Sequence, residues 1–379
     1  MNFNFSDNHK LISKAAKDFA VGELAQDVVL RDQNKIWPEG QIKQMAELGF
    51  MGMMVSPEWD GGGLDTISYC IAMEEISKVD ASASVIMSVN NSLVCYLIER
   101  FGSNFQKEKY LKKFAKGDML GAFSLSEPQS GSDASNMRTL AKKIKNGYQL
   151  KGTKNWVTNG HSSDIVLVFA LTSPELGSRG ISCFIVEKNF PGFSVGKSEE
   201  KLGIRSSDTT ELYFDDVVIP KDNLIGNEGD GFKIALSTLD GGRIGIASQA
   251  LGIAQASLEA SIKYSKERIQ FGKPISENQG VQFKLADMAM EIEAARLLTY
   301  KAASAKDEGA EFGSLSSMAK VYASEVAMRA STQCVQIHGG YGYVVETGVE
   351  RLMRDAKITQ IYEGTSEIQR MVIARNLLK

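Results

Sequence analysis

The sequence predicts a multi-domain α+β protein: an N-terminal helical domain, a middle β-barrel or sandwich domain, and a C-terminal domain of the four-helix-bundle type. Three observations carry this. The chain has 379 residues and only 7 prolines, and the last 105 residues contain none. Proline in a helix interior costs roughly 3 kcal/mol, so a long proline-free tail reads as helix. Four of the 7 prolines fall between Leu120 and Ile225, among short β-branched and aromatic runs, while the segments on either side have the 3.6-residue period of amphipathic helices. The boundaries expected are 1–119, 120–225 and 226–379.

Taken in order, residues 5–27 place Leu11, Ala15, Phe19 and Leu24 near helical spacing, and Pro38 opens a segment that ends at Gly49. Helices are expected over 67–79, 83–101 and 104–116. The runs 164–170 and 181–186 are buried-strand candidates, and Glu211-Leu212-Tyr213-Phe214 alternates as a half-buried strand does. Asn146-Gly147, Asn159-Gly160 and Pro191-Gly192 supply the turns. Beyond Gly231 the spacing predicts helices over 232–267, 277–307, 314–337, 348–356 and 366–378.

Composition narrows the function. The net charge of −3 and pI of about 5.8 give no basic field for a nucleic acid. Four widely spaced cysteines and 3 scattered histidines make no zinc pattern, so no metal is expected. The start of the chain has no basic n-region, and the most apolar run, 85–98, is split by Asn90-Asn91 and too short for a bilayer. A soluble cytoplasmic protein without membrane insertion is expected. Every Gly-x-Gly lacks the third glycine of GxGxxG, and neither GxxxxGK[ST] nor GxSxG occurs, so a cofactor must bind in a less common mode.

Five segments carry candidate chemistry. In 361–370, Ser366 and Gln369 have capping-box spacing, so a helix should start there and Glu363 lies in a short break beside Gly364. Glu363 is then either an acid interacting with a helix dipole or a general base on a framed loop, and spacing does not choose. The hydroxyl-rich loop 123–133 reads as a solvated linker or as the lining of a polar ring or phosphate. Trp156 and Thr158, two apart on a strand, share a face that is core or an aromatic wall for a flat ligand. Gly241 and Gly242 inside a helix permit close packing of another helix or of a ligand. Arg268, at a helix end before Gly272, could pair a phosphate.

Together with 85–93, 201–207 and 336–343, these segments resemble the acyl-CoA dehydrogenase family over essentially the whole chain, and its short-chain (butyryl-CoA-type) members most. The resemblance implies FAD bound without a Rossmann motif, a homotetramer built as a dimer of dimers, and electron transfer to an electron-transferring flavoprotein, as in fatty acid β-oxidation. Positions matching the family's flavin contacts are Phe123, Leu125, Ser126, Trp156, Thr158, Thr365 and Glu367. Arg268, Phe271, Gln279, Gln336, Gly339 and Gly340 match those reaching the FAD of a neighbouring subunit. Ser132, Asp240, Arg243 and Gly364 match acyl-CoA contacts, and Glu363 matches the catalytic base. Some relatives, such as isovaleryl-CoA dehydrogenases, carry the base on the long helix just before the matching Arg; Gly242 stands there in this chain.

Three departures stand out. Gln129-Ser130 replaces a small pair in the loop, Phe123 stands where Tyr is frequent, and His338 where an apolar residue is usual. The implied reaction is α,β-dehydrogenation of a short-chain acyl-CoA to the trans-2-enoyl-CoA. Alternatives are a branched-chain or cyclic acyl-CoA dehydrogenase or oxidase of the same fold and, in a different class, a non-catalytic helical scaffold.

Overall fold

A computed structural model describes residues 5–378. Helices occupy the chain up to Lys116, strands run from Gly121 to Ile225, and helices return at Gly231. The helix Asp7–Phe19 starts at Ser6, whose side chain accepts from the His9 N–H, and Thr66–Val79 starts the same way at Asp65. A short helix, Val28–Asn34, was not expected; it ends at Lys35 in the left-handed conformation, without the glycine that usually marks a stop.

The apolar run is longer than the sequence reading allowed. Helix continues over Ala81–Phe101, 21 residues, long and apolar enough to cross a membrane by length and composition, but 94% of that window is buried inside the molecule. It is a core helix. Asn90 and Asn91 do not split it, because a π-helical turn at Val89–Cys95 takes them in. Asn90 Nδ2 donates to the Met51 carbonyl (2.9 Å), Asn91 Nδ2 to the Phe50 carbonyl (2.8 Å), and Asn91 Oδ1 accepts from the Met53 N–H (2.9 Å). Buried amides thus satisfy a loop backbone that has no sheet or helix to join.

The strands are β1 (Gly121–Ser124), β2 (Leu140–Ile144), β3 (Gly147–Thr158), β4 (Ile165–Leu171), β5 (Ile181–Glu187), β6 (Phe193–Ser198), β7 (Thr209–Pro220) and β8 (Leu224–Ile225). They form one mixed sheet in the order β6-β7-β3-β2-β4-β5-β8, with β1 parallel to β4. β4 is buried on both faces: Ile165, Leu167 and Phe169 join the core shared with the helices, while Val166, Val168 and Ala170 join the core of the sheet itself. That explains its unbroken apolar sequence. The sheet curls on itself, since Tyr148 of β3 lies 4.8 Å from Phe184 of β5 although two strands separate them in the order.

At the centre of the C-terminal helices is Gly231–Glu267, which packs against Gly313–His338, Gln279–Asp307 and Thr66–Val79. The remaining helices are Val349–Thr359 and Ser366–Leu377. Ion pairs tie the N-terminal helices to these: Glu74 to Arg296 (2.7 Å) and Asp32 to Arg354 (2.6 Å).

Candidate active site

Glu363 stands in the break between Val349–Thr359 and Ser366–Leu377, with a left-handed backbone at φ 54°. Such a conformation is uncommon for a residue with a Cβ and persists where the surroundings over-determine it. Here they do. Gln369 Nε2 donates to the carbonyls of Glu363 (3.1 Å) and Gly364 (2.9 Å), Lys320 Nζ donates to the Gly364 carbonyl (2.7 Å), and the Tyr362 hydroxyl bonds Gln249. The helix cap differs from the one expected. Thr365, not Ser366, is the N-cap and accepts from the Ile368 N–H, which leaves Gln369 free to clamp the loop.

The carboxylate crosses the face of Gly242 on the long helix. A Cβ built on Gly242 falls 3.0 Å from Glu363 Cδ, closer still to its Oε2, and 2.8 Å from Leu93 Cδ2. The paired glycines therefore serve a close approach, at least at Gly242. Glu363 Oε2 is buried with no hydrogen-bond partner among the described residues. Burial pushes the carboxyl up to about 7, against the opposing pull of Lys320 and Arg243. Arg243, buried, donates to Asp240 Oδ1 (2.5 Å) and Ser317 Oγ (3.3 Å), and its Nε is likewise unpartnered. Gly364 borders the same loop, and Asp240 lines a groove of about 470 Å³ with Arg179 and Lys233. Ser132 is exposed on the loop after β1.

Phe123, Leu125 and Ser126 meet the end of β3. The Asn155 N–H donates to the Ser126 carbonyl (2.9 Å), and buried Lys154 donates to the Leu125 carbonyl and to Glu127 Oε1 (both 2.9 Å). A bulge between Lys154 and Val157 puts Trp156 at φ 60° and leaves the residue 60% exposed, with Thr158 half-buried beyond it. The indole is therefore not a core group. Of the departures, Gln129 Nε2 bonds Glu127 Oε2 (2.7 Å) and Ser130 Oγ bonds the Asp133 carbonyl (2.7 Å), so both residues tighten their own loop. Phe123 packs on Phe169.

A cleft of about 580 Å³ is lined by Arg268, Gln270, His338, Gly339, Gly340 and Tyr341, among others. Space is open where a Cβ would stand on Gly339 and Gly340. Phe271, at the turn of the Ile269–Gln270/Lys273–Pro274 hairpin, has φ 52° and is 99% exposed; Gln279 and Gln336 are exposed too. These residues are not covered within one chain, and the cleft lining does not include Glu363. His338 stacks on Tyr264 at 4.2 Å and its Nδ1 donates to the Cys334 carbonyl (2.8 Å), while burial lowers its pKa, so it packs into its own helix end.

The residues fit a flavin dinucleotide by the chemistry of the set: an open indole face, hydroxyls at Ser126, Thr158 and Thr365, a helix N-terminus after Thr365, and an arginine beside open glycines. Lys320 and Tyr362 were not singled out from the sequence, and Gln369 only as the far end of a capping box. A signal existed for Lys320: it is a lysine among Ser316, Ser317, Ala319, Ala323 and Ser324, the small buried face of its helix.

The fold sets a carboxylate with one buried, unpartnered oxygen against the long helix, and beside it groups that fit a cofactor held without a Rossmann motif. The sequence matches the acyl-CoA dehydrogenase N-terminal domain over 6–118, the middle domain over 122–217 and the C-terminal domain over 229–378. It is 51% identical to the mitochondrial short-chain specific acyl-CoA dehydrogenase of Rattus norvegicus, over 98% of this chain and 90% of that one. The solved butyryl-CoA dehydrogenase of Megasphaera elsdenii superposes with a TM-score of 0.99 at 49% identity, covering 100% of both chains. A chain in a structure described as the electron transferring flavoprotein of Acidaminococcus fermentans, towards a mechanism of flavin-based electron bifurcation, does so with a TM-score of 0.99 at 50% identity, again covering 100% of both. The chain belongs to the acyl-CoA dehydrogenase family.

Proposed function

We propose that this protein is a short-chain acyl-CoA dehydrogenase that converts a saturated acyl-CoA to the trans-2-enoyl-CoA, with Glu363 as its base. The observation that carries the reading is the Glu363 carboxyl, on a residue only partly buried as a whole but with its Oε2 buried and unbonded among the described residues, and pushed up to about 7 by burial. The α C–H of a thioester is weakly acidic, and a base is most effective when its pKa is near the working pH. Similarity to butyryl-CoA and short-chain enzymes supports the chain length.

In this reading the backbone N–H of Glu363 holds the thioester oxygen, a donor worth roughly 2.7–4 kcal/mol at the transition state. Its side chain takes the α proton. Asp240, Arg243, Ser132 and Gly364 hold the acyl-CoA. FAD, held by Phe123, Leu125, Ser126, Trp156, Thr158, Thr365 and Glu367, supplies the acceptor for the hydride that leaves the β carbon. Arg268, Phe271, Gln279, Gln336, Gly339 and Gly340 complete that site across a subunit boundary of a homotetramer, which accounts for their exposure in one chain. The division of labour follows the segments 1–119, 120–225 and 226–379. Electrons pass on to an electron-transferring flavoprotein, and the enzyme works in the cytoplasm.

Two expected results test this. Under anaerobic conditions butyryl-CoA should bleach the flavin faster than a branched or long-chain thioester, and an electron-transferring flavoprotein should reoxidise it faster than oxygen. Bleaching by a branched thioester alone overturns the substrate, and rapid reoxidation by oxygen marks an oxidase. Second, kcat/KM should fall on acidification through about pH 7, because Glu363 protonated below its pKa cannot accept the α proton. A limb at the ordinary carboxylate range, near pH 4, excludes a desolvated base.

A further inference from the structure

Lys320 lies in Gly313–His338 with no exposed surface. Its ammonium makes one hydrogen bond, to the Gly364 carbonyl at 2.7 Å, and no ion pair, among the described residues. A charge taken out of water with a single neutral acceptor is an expensive way to fill space. Serine, alanine and valine occupy the neighbouring buried positions of the same helix, so the site does not demand a polar side chain for packing.

The position of that one bond is informative. Gly364 follows Glu363, and its carbonyl also accepts from Gln369 Nε2 (2.9 Å), whose amide reaches the Glu363 carbonyl as well. Lys320 and Gln369 therefore grip the loop from two helices at the point where its backbone is left-handed. The charged and titratable groups facing Glu363 are Lys320 from Gly313–His338, Arg243 from Gly231–Glu267, and the hydroxyls of Tyr69 and its neighbour Tyr362. Those facing Lys320 are Glu363, Arg243 and Glu367. Arg243 is already engaged by Asp240 and Ser317, whereas the Lys320 charge has no carboxylate bonded to it.

We propose that Lys320 is a positioning residue for Glu363: its ammonium fixes the Gly364 carbonyl, and so the left-handed turn that aims the carboxylate, while its charge favours the anionic form of the base. The inference rests on the reading of Glu363 as the base. Burial pushes the Lys320 ammonium down to about 7 while Glu363 pulls it back up, and Lys320 in turn heads the influences that lower Glu363, which agrees with two groups acting on each other through space.

The test uses FAD-loaded enzyme and the pH profile of kcat/KM for butyryl-CoA. Lys320→Gln keeps a donor for the Gly364 carbonyl and removes the charge. Its acid limb should move up by about one pH unit, lowering the rate below the limb about tenfold, with flavin content unchanged. Lys320→Met removes charge and donor, and should add a fall in the high-pH plateau to the same shift. Lys320→Arg carries a charge that does not titrate in this range and should hold the limb at or below the wild-type position. A lysine that only fills space predicts altered stability with the limb unmoved in both uncharged variants, and that result overturns the proposal. Should the Met variant fail to fold, the Gln variant decides. Glu363→Gln is run alongside: if it stays active, the reading of the base falls; if it is inactive while the limb is unmoved, only the role of Lys320 falls.

Discussion

Glu363→Gln is expected to fold and bind FAD normally, and to dehydrogenate butyryl-CoA slower than wild type by roughly 10²–10⁴-fold, the usual contribution of a positioned base. The amide has the shape of the carboxyl, so the loop held by Gln369 and Lys320 has no reason to move. A second readout is independent of turnover. The folded-state pKa of Glu363 is raised, so the native protein holds a proton more firmly than the unfolded chain between the ordinary glutamate value and about 7. Stability is therefore lost as pH rises through that window, by on the order of 3 kcal/mol once Glu363 is fully ionised. The Gln variant lacks this loss, so thermal melts should show it gaining on wild type as pH increases from 5 to 8. Turnover above a few per cent of wild type puts the base elsewhere.

Gly242→Ala should be nearly as damaging for the opposite reason, since it leaves the base intact and takes away its place. The added methyl is too close to Glu363 Oε2 and Cδ and to Leu93 Cδ2 for all three to stay where they are. A shift of about 1 Å in a reacting group can cost roughly 10²-fold in rate. Alanine is also favoured over glycine in a helix by roughly 0.8–1.0 kcal/mol, which offsets part of the crowding. The expected variant melts close to wild type, retains flavin, and has kcat lowered about 100-fold. Wild-type kcat would mean that the carboxylate does not work from the place it occupies across Gly242.

The three-part order of helix, strand and helix was legible because each part carries a different period. The long helix expected over 232–267 is found as Gly231–Glu267, and the apolar run at 164–170 as β4. What pattern could not supply was anything decided across the chain. The capping spacing at Ser366 and Gln369 pointed to the correct helix start with the wrong cap, because Gln369 is drawn to carbonyls before the helix. Asn90 and Asn91 break the apolar run at 85–98 but not the helix expected over 83–101, and their role was hidden because their acceptors, Met51 and Phe50, are about 40 residues away in sequence. Glu363 was legible as a candidate from its setting in a helix break. Its meeting with Gly242, 121 positions earlier, and with Lys320 is a product of how three helices pack.

The crowding between position 242 and the Glu363 carboxylate also bears on how such enzymes diverge. The family resemblance implies that some relatives carry their base on the long helix, at the position matching Gly242. In this fold a side chain growing from 242 enters the volume the Glu363 carboxylate already fills. The architecture reserves a location for one negative group and offers two anchorages from which to reach it.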